Sequence, residues 1–379
     1  MPVSPAMAED LAAAISTLYA DAELSIIERL RKALEEGIDS PLWAEIKARS
    51  IGDLREAVEE VTTALQQDAN GAVAQALATA YGRGRQAAVA ELGALDIGRE
   101  LQARRILPNA PAVDRLAASY AADTRPLYQR ITRAVVDAYR NVITRVSSGP
   151  LLGTVTRRQA SQRALNQFAQ RGVSGFTDRS GRNWELAAYA EMAVRSVTAR
   201  AAIEGHTDAL GEINVGLVIV SDAPLECPLC RAWEGEILTL GQQSGPHTIR
   251  AEHAIQPSGL FAPTRTVAVH VAGSLVEARA AGLFHPNCRH SLGAYLPGVT
   301  TRPPHHATPG TTYEDTQRQR EIERHIRRWK REQAAAMDEA ARKRAGAYVR
   351  KWQAAQREHV AAHEDLRRKP AREQIGVAR

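Results

Sequence analysis

Residues 18–37, LYADAELSIIERLRKALEEG, set the fold class. Leu18, Leu24, Ile27, Leu30 and Leu34 fall mostly three and four residues apart, which gathers them on one face of a helix. Gly37 follows the last of them, and glycine tolerates the left-handed backbone that ends a helix. The same spacing recurs in 43–65 (WAEIKARSIGDLREAVEEVTTAL), in 72–93 (AVAQALATAYGRGRQAAVAELG) and from Val113 to Val146. Pro41, Pro108, Pro111 and Pro150 mark connections between these segments. Each helix has a single apolar stripe, so the helices are expected to pack on one another or on a partner. No fixed-period repeat argues for a solenoid.

Composition agrees with a mainly helical chain. Alanine dominates the apolar residues and there are only four Phe among 379 residues, which favours long helices over a large aromatic core. The length suits two or three domains. Residues 1–19 lack a basic leader, and Glu9 and Asp10 break their apolar stretch, so no secretory signal is expected. No run of eighteen apolar residues is present to span a membrane. Residues 311–379 hold 18 Lys/Arg against 11 Asp/Glu, a surplus of +7 in a chain of net +6. The basicity therefore belongs to the tail, where it can meet nucleic acid or an acidic protein face, or form only a solvated helix surface.

Past residue 150 the character changes. A glycine-rich turn precedes a helix ending near Gly205, with Asn183 as a reasonable N-cap. NVGLVIVSD at 214–222 reads as a buried strand, and 235–240 and 265–271 as further strands. Ser274 and Glu277 have capping-box spacing at the head of a short helix, 274–282. The expected organisation is a helical region at 1–150, an α+β domain at 151–298 and a Pro/Gly/Thr linker at 299–312. One long basic helix then runs from 313 through the tail to 379, with so little apolar surface that it calls for a partner or DNA to order it.

All three cysteines sit in two clusters of the α+β domain, CPLC at 227–230 and HPNCRH at 285–290. Three thiols cannot close a disulfide set, whereas a Cys-x-x-Cys pair, a third cysteine and histidines suit tetrahedral zinc. The expected ligands of one structural zinc are Cys227, Cys230, Cys288 and His285, with His290 as the alternative fourth. Such an ion would staple the ends of a long inserted segment and leave no open position for a reactive water. Arg289 is expected to donate to a thiolate from outside the ligand set. Two other readings stay open: a redox Cys-x-x-Cys after a strand, and buried thiols with unrelated histidines. A Cys–His hydrolase lacks a visible orienting residue or oxyanion loop. Trp184, Tyr189 and Met192 lie at helical spacing and read as core, while Asp178 and Asp222 read as turn residues. His305 and His306 fall in the linker.

The order of GVSGFTDRSGRNWELAAYAEMAVRS (172–196), SDAPLECPLCRAWEGEIL (221–238) and AGLFHPNCRHSLGAYLPG (281–298) resembles the phage minor capsid protein 2 family, relatives of Mu-F-like head-morphogenesis proteins. The helical opening is similar too, so the resemblance covers roughly residues 10–300. It implies a minor virion protein of a tailed-phage head, assembled in the host cytoplasm, lying in the head interior or at the portal vertex. The implied partners are the portal protein or the major capsid interior, and the implied role is head assembly and DNA packaging or delivery by binding. No catalytic residue is expected, since the tail has no room for the toxin domains some relatives carry. Arg327, Arg328, Lys330, Arg331, Arg342, Lys343 and Arg344 are the tail residues expected to touch DNA or an acidic neighbour. A zinc-containing nucleic-acid-binding protein is the alternative.

Overall fold

A computed structural model describes residue 3 and residues 9–93, 110–148, 156–172, 176–177, 183–223, 228–255, 263–285, 288, 290–302 and 310–376. The fold is mainly helical with a small β portion. In chain order, α1 is Glu9–Glu35, α2 Trp43–Arg49, α3 Ile51–Leu92, α4 Pro111–Ser148 and α5 Arg157–Arg171. The hairpin strands β1 (Phe176–Thr177) and β2 (Asn183–Trp184) lead into α6, Leu186–Glu212. Then follow β3 (Leu217–Val220), the one-turn α7 (Pro228–Arg231), β4 (Ile237–Thr239), β5 (His247–Glu252), β6 (Thr266–Val271) and β7 (Gly273–Ser274). After α8 (Leu275–Ala280) and β8 (Leu292–Ala294), the tail forms α9 (Tyr313–Ala334), α10 (Glu339–Ala361) and a 3₁₀ turn at Pro370–Glu373. None of the described helices is long and apolar enough to cross a membrane.

The chain divides by contact into two compact units, each assembled from three separated stretches. One comprises residues 1–12, 73–118 and 192–313, and the other 13–72, 119–191 and 314–379. The division falls inside α1, α3, α4 and α6 and just after the first residue of α9, so each of these helices gives part of its length to each unit.

In the second unit, α1 is buried over Tyr19–Ile27, polar Asp21, Glu23 and Ser25 included, and not along a stripe alone. Leu24, Ile27, Leu30 and Leu34 are in the core as their spacing predicts, and Gly37 adopts φ 61° just past the helix end. Tyr19 is hydrogen-bonded through its hydroxyl to those of Tyr120 (2.9 Å) and Tyr128 (2.7 Å), so three buried phenols satisfy one another. The buried Trp43 indole donates to the Leu34 carbonyl at 3.1 Å. The segment 43–65 is not one helix. It breaks at Ser50, whose hydroxyl contacts the Lys47 carbonyl and the Tyr139 hydroxyl, and α3 then runs unbroken for 42 residues.

The tail packs in this same unit, as two helices where the sequence suggests one. Asp338 caps α10 by accepting from the Ala341 amide at 2.7 Å, and the linking Ala335, Ala336 and Met337 are buried. Gln162 of α5 holds that link from both sides, accepting from the Met337 amide (2.6 Å) and donating to the Ala335 carbonyl (3.4 Å). The tryptophans pair the two helices: Trp329 stacks on Tyr348 and His325 on Trp352, each at 4.0 Å between ring centroids. Polar burial substitutes for the apolar face the tail lacks. Arg331, 1% exposed, donates to the Ala169 carbonyl and to both Glu185 oxygens (2.8 and 3.3 Å), with Glu23 at 3.8 Å.

The first unit holds the sheet. Its order is β7-β4-β3-β8, with β3 antiparallel to β4 and β8, and β4 parallel to β7. β5 and β6 form a separate antiparallel ribbon, Thr248 opposite His270 and Arg250 opposite Ala268. Leu217, Ile237, Val269 and Val271 form a buried cluster joined by Ile249, Ala251 and Tyr295. The strands expected at 214–222, 235–240 and 265–271 are all present, with all four residues of β3 buried. The Ser274–Glu277 capping box is formed at the head of α8.

Two expectations for α6 are corrected. Asn183 pairs with Thr177 in the β1–β2 hairpin and is not an N-cap; the helix starts at Leu186. Gly205 does not stop the helix. A Cβ there would lie 2.1 Å from the Tyr81 carbonyl oxygen, and one on Gly84 would lie 1.9 Å from that of Ala202. These two glycines let α3 and α6 cross backbone against backbone. Near the crossing, the Glu91 carboxylate takes the His206 ring at 3.0 Å and the Ala294 amide of β8 at 3.0 Å, tying both helices to the sheet edge.

Candidate metal centre

The two cysteine motifs lie at one end of the sheet, the first following β3 and the second preceding its antiparallel neighbour β8. β3 runs out to Ser221, and α7 then carries Cys230. The chain turns back at Gly235, which has φ 68° and donates its amide to the Val220 carbonyl at 3.1 Å before β4 begins. The second motif enters β8. Ser221 and Ser291 clamp the two strand ends, the Ser221 amide donating to the Ser291 carbonyl (3.0 Å) and the Ser291 amide to the Ser221 hydroxyl (2.8 Å). The Cys288 amide donates to the His285 carbonyl at 2.9 Å.

Cys230, Cys288 and His290 come together, with one ligand atom from each lying within 4.8 Å of the others. The Sγ atoms of Cys230 and Cys288 are 3.6 Å apart, and Cys288 Sγ is 3.3 Å from His290 Nδ1. On its far side His290 Nε2 lies 2.6 Å from the buried Glu234 carboxylate. With the Nε2 hydrogen directed at Glu234, Nδ1 presents its lone pair to the sulfurs, the arrangement that orients a metal-binding histidine. The Cys288 thiol is pulled down to about 4 by the hydrogen bond from Cys230, against the opposing effect of burial and with further help from His290. Burial alone would depress His290, but Cys288 and Glu234 raise it. The set is two soft sulfurs and one imidazole, buried and pre-oriented, and it can hold a metal ion.

Of the expected ligands, Cys227 lies outside the described residues, as does Arg289. Cys230 and Cys288 are brought together, the histidine grouped with them is His290, and His285 lines an adjoining pocket. Sequence reasoning missed Glu234. Its signal was there in hindsight of spacing, an acidic residue four positions after the Cys-x-x-Cys, but nothing local tied it to a histidine 56 residues away.

The tail residues separate into two groups. Arg331 is spent on Glu185 and Glu23 in the interior and presents no charge to a ligand. Arg327 donates to the Arg372 carbonyl, Arg328 to Gln170, and Lys330 to Gln374. Arg342, Lys343 and Arg344 are exposed on α10.

The family model described as phage minor capsid protein 2 matches residues 3–361. The chain belongs to that family. A curated relative, the "Structural protein" of Lactococcus phage LL-H, is 21% identical over 202 residues, 52% of this chain and 50% of the relative. The chain thus spans about half the length of the curated relative it matches. No solved structure matches. Membership of the minor capsid protein 2 family makes this a phage structural protein, a component of the virion.

Proposed function

We propose that this minor capsid protein sits at the portal vertex or head interior of a tailed phage and acts in head assembly and DNA packaging or delivery by binding, without catalysis. The family match over residues 3–361 carries this reading. The portal protein is the proposed partner, with the major capsid interior as a second contact. Co-expression with the portal protein of the same phage, followed by size exclusion with light scattering, tests it. Co-elution at a defined stoichiometry is expected; a lone monomer in the presence of folded portal protein would overturn the portal assignment.

Zinc is the proposed ion of the Cys230–Cys288–His290 cluster, with Cys227 the proposed fourth ligand. Zn–S bonds of about 2.3 Å at the tetrahedral angle place two sulfurs about 3.8 Å apart, and a sulfur and an imidazole nitrogen about 3.5 Å apart. The separations of 3.6 and 3.3 Å support a tetrahedral ion of that size. Its role is structural: it would join the turn after β3 to the turn before β8. Elemental analysis is expected to return about one zinc per chain, and Cys230→Ser to lose it. A metal-free chain with unchanged thermal stability would remove the ion from this account.

The exposed Arg342, Lys343 and Arg344 support a second reading in which the tail meets packaged DNA. Because the tail packs into a unit, the test neutralises these three side chains together and leaves the tail in place. DNA affinity that falls steeply between about 50 and 200 mM salt, and is lost in the triple Gln variant, supports it. Affinity unaffected by the substitutions would exclude α10 as the contact.

A further inference from the structure

Beside the metal cluster lies a pocket of about 440 Å³, within the range of roughly 300–1,000 Å³ seen for small-molecule sites. α6 forms one wall, and the end of α8 with the following turn forms the other, reaching Cys288. Ile203, Leu283 and Phe284 give it an apolar lining, and Arg195, Arg200 and Arg279 bring three guanidinium groups to it.

The acidic side chain that Arg200 and Arg279 approach is shared. Glu204 takes Arg115 on one oxygen at 2.6 Å, and Arg200 at 3.0 Å on the other, which Arg279 approaches only to 3.9 Å. One carboxylate thus serves three guanidinium groups. Nη2 of Arg279 is buried and has no acceptor among the described residues. Leaving a buried donor unsatisfied is destabilising, the more so for a charged group. Burial pushes Arg279 downward, Glu204 opposes this, and Arg200 adds to the downward pressure. The backbone is also constrained here: Phe284 has φ 60°, a left-handed conformation uncommon for an aromatic residue. Such strain collects at ligand clamps, where surrounding structure holds a side chain in place.

We propose that this pocket binds a small molecule carrying an oxyanion, phosphate or carboxylate, on an apolar or planar body. The guanidinium fork matches either oxyanion in two-point geometry, and a bound oxygen would give Arg279 Nη2 its missing acceptor. Ile203, Leu283 and Phe284 would cover the body of the ligand. Exposed cationic side chains attract anions anywhere on a surface; the concave, partly open pocket and the orphaned donor make this location specific.

The test is calorimetric titration of the full chain, isolated with its native metal content, using four probes: phenyl phosphate, phenylacetate, inorganic phosphate and phenol. At least one of the first two is expected to bind at least tenfold more tightly than either inorganic phosphate or phenol, and their ranking distinguishes phosphate from carboxylate. Arg279→Lys keeps the charge and removes the fork, and should weaken the preferred probe at least tenfold. Arg200→Gln, at a side chain 56% exposed on the rim, should do the same without risk to the fold. Failure of both aromatic anions to bind, binding of phenol as tight as that of its phosphate, or binding unchanged in Arg200→Gln would each overturn the proposal.

Discussion

Replacing Gly205 by alanine reverses the usual sign of that substitution. In an exposed helix interior, Gly→Ala stabilises by about 0.5–1 kcal/mol, because alanine loses less backbone freedom on folding. Gly205 is mid-helix, yet its added Cβ would stand 2.1 Å from the Tyr81 carbonyl oxygen, where ordinary contact begins at 3.4 Å. The helices must part by about 1.3 Å, and the obstacle is backbone, which no rotamer change can clear. Overpacking of that kind costs about 1–3 kcal/mol and at times more. A backbone obstacle puts this case at the upper end of that range, and subtracting the propensity gain leaves a net loss of roughly 2 kcal/mol. Gly82, in α3, and Gly211, in α6, are internal controls, since a Cβ on either meets nothing within 4 Å. Both belong to the same unit as Gly205. Urea unfolding followed by far-UV circular dichroism should therefore spread Gly82→Ala and Gly205→Ala by about 3 kcal/mol in opposite directions. Gly205→Ala as stable as the wild type would refute the close crossing of α3 and α6.

Other expectations rest on separate residues. Arg331→Met strands the Glu185 and Glu23 carboxylates in the interior and should cost about 3–5 kcal/mol in denaturant titration, with Arg331→Met/Glu185→Gln recovering part of it. Burial would raise Glu185, but Arg331 and Arg327 outweigh it and hold the carboxyl below its usual value. A depressed folded value means that its stabilisation is complete above the unfolded value of about 4.5 and is lost below it, as pH falls through the lower folded value, so acid unfolding of Glu185→Gln should lack this component. Glu234→Gln leaves the ligands in place but weakens the support of His290, and competition with a chelator should show about 10–100-fold weaker zinc retention. Unchanged retention would mean that the imidazole is oriented by something else.

What could be read in advance was what leaves a local trace. Three- and four-residue spacing marked α1, α3 and α4, β-branched runs marked β3 and β6, and Ser274–Glu277 announced its own capping box. The grouping of the two cysteine motifs was also readable, because soft ligands at such spacing have few other uses. Contacts between distant stretches left no such trace. Gly205 looked like a helix stop because the local role of glycine is to end helices; its actual role is set by Tyr81, 124 residues earlier. The tail looked too polar to pack, since its charge count cannot disclose that Arg331 meets Glu185 or that Gln162 grips the link before α10. The choice between His285 and His290 likewise turned on Glu234, a partner with no sequence proximity to either.

The interleaving of the two units bears on how the chain is made. Glu23 leaves the ribosome 308 residues ahead of Arg331, the buried cation it approaches. At about 5–20 residues per second, that interval is roughly 15–60 s. The unit containing α1 cannot close until the last stretch of chain has been synthesised, while the sheet-bearing unit has all its strands by residue 294. Synthesis therefore orders the assembly: the metal-site unit first, the buried-charge unit last. During the gap Glu23 waits for Arg331, and α1 is a stretch of the nascent protein that chaperones and proteases can reach.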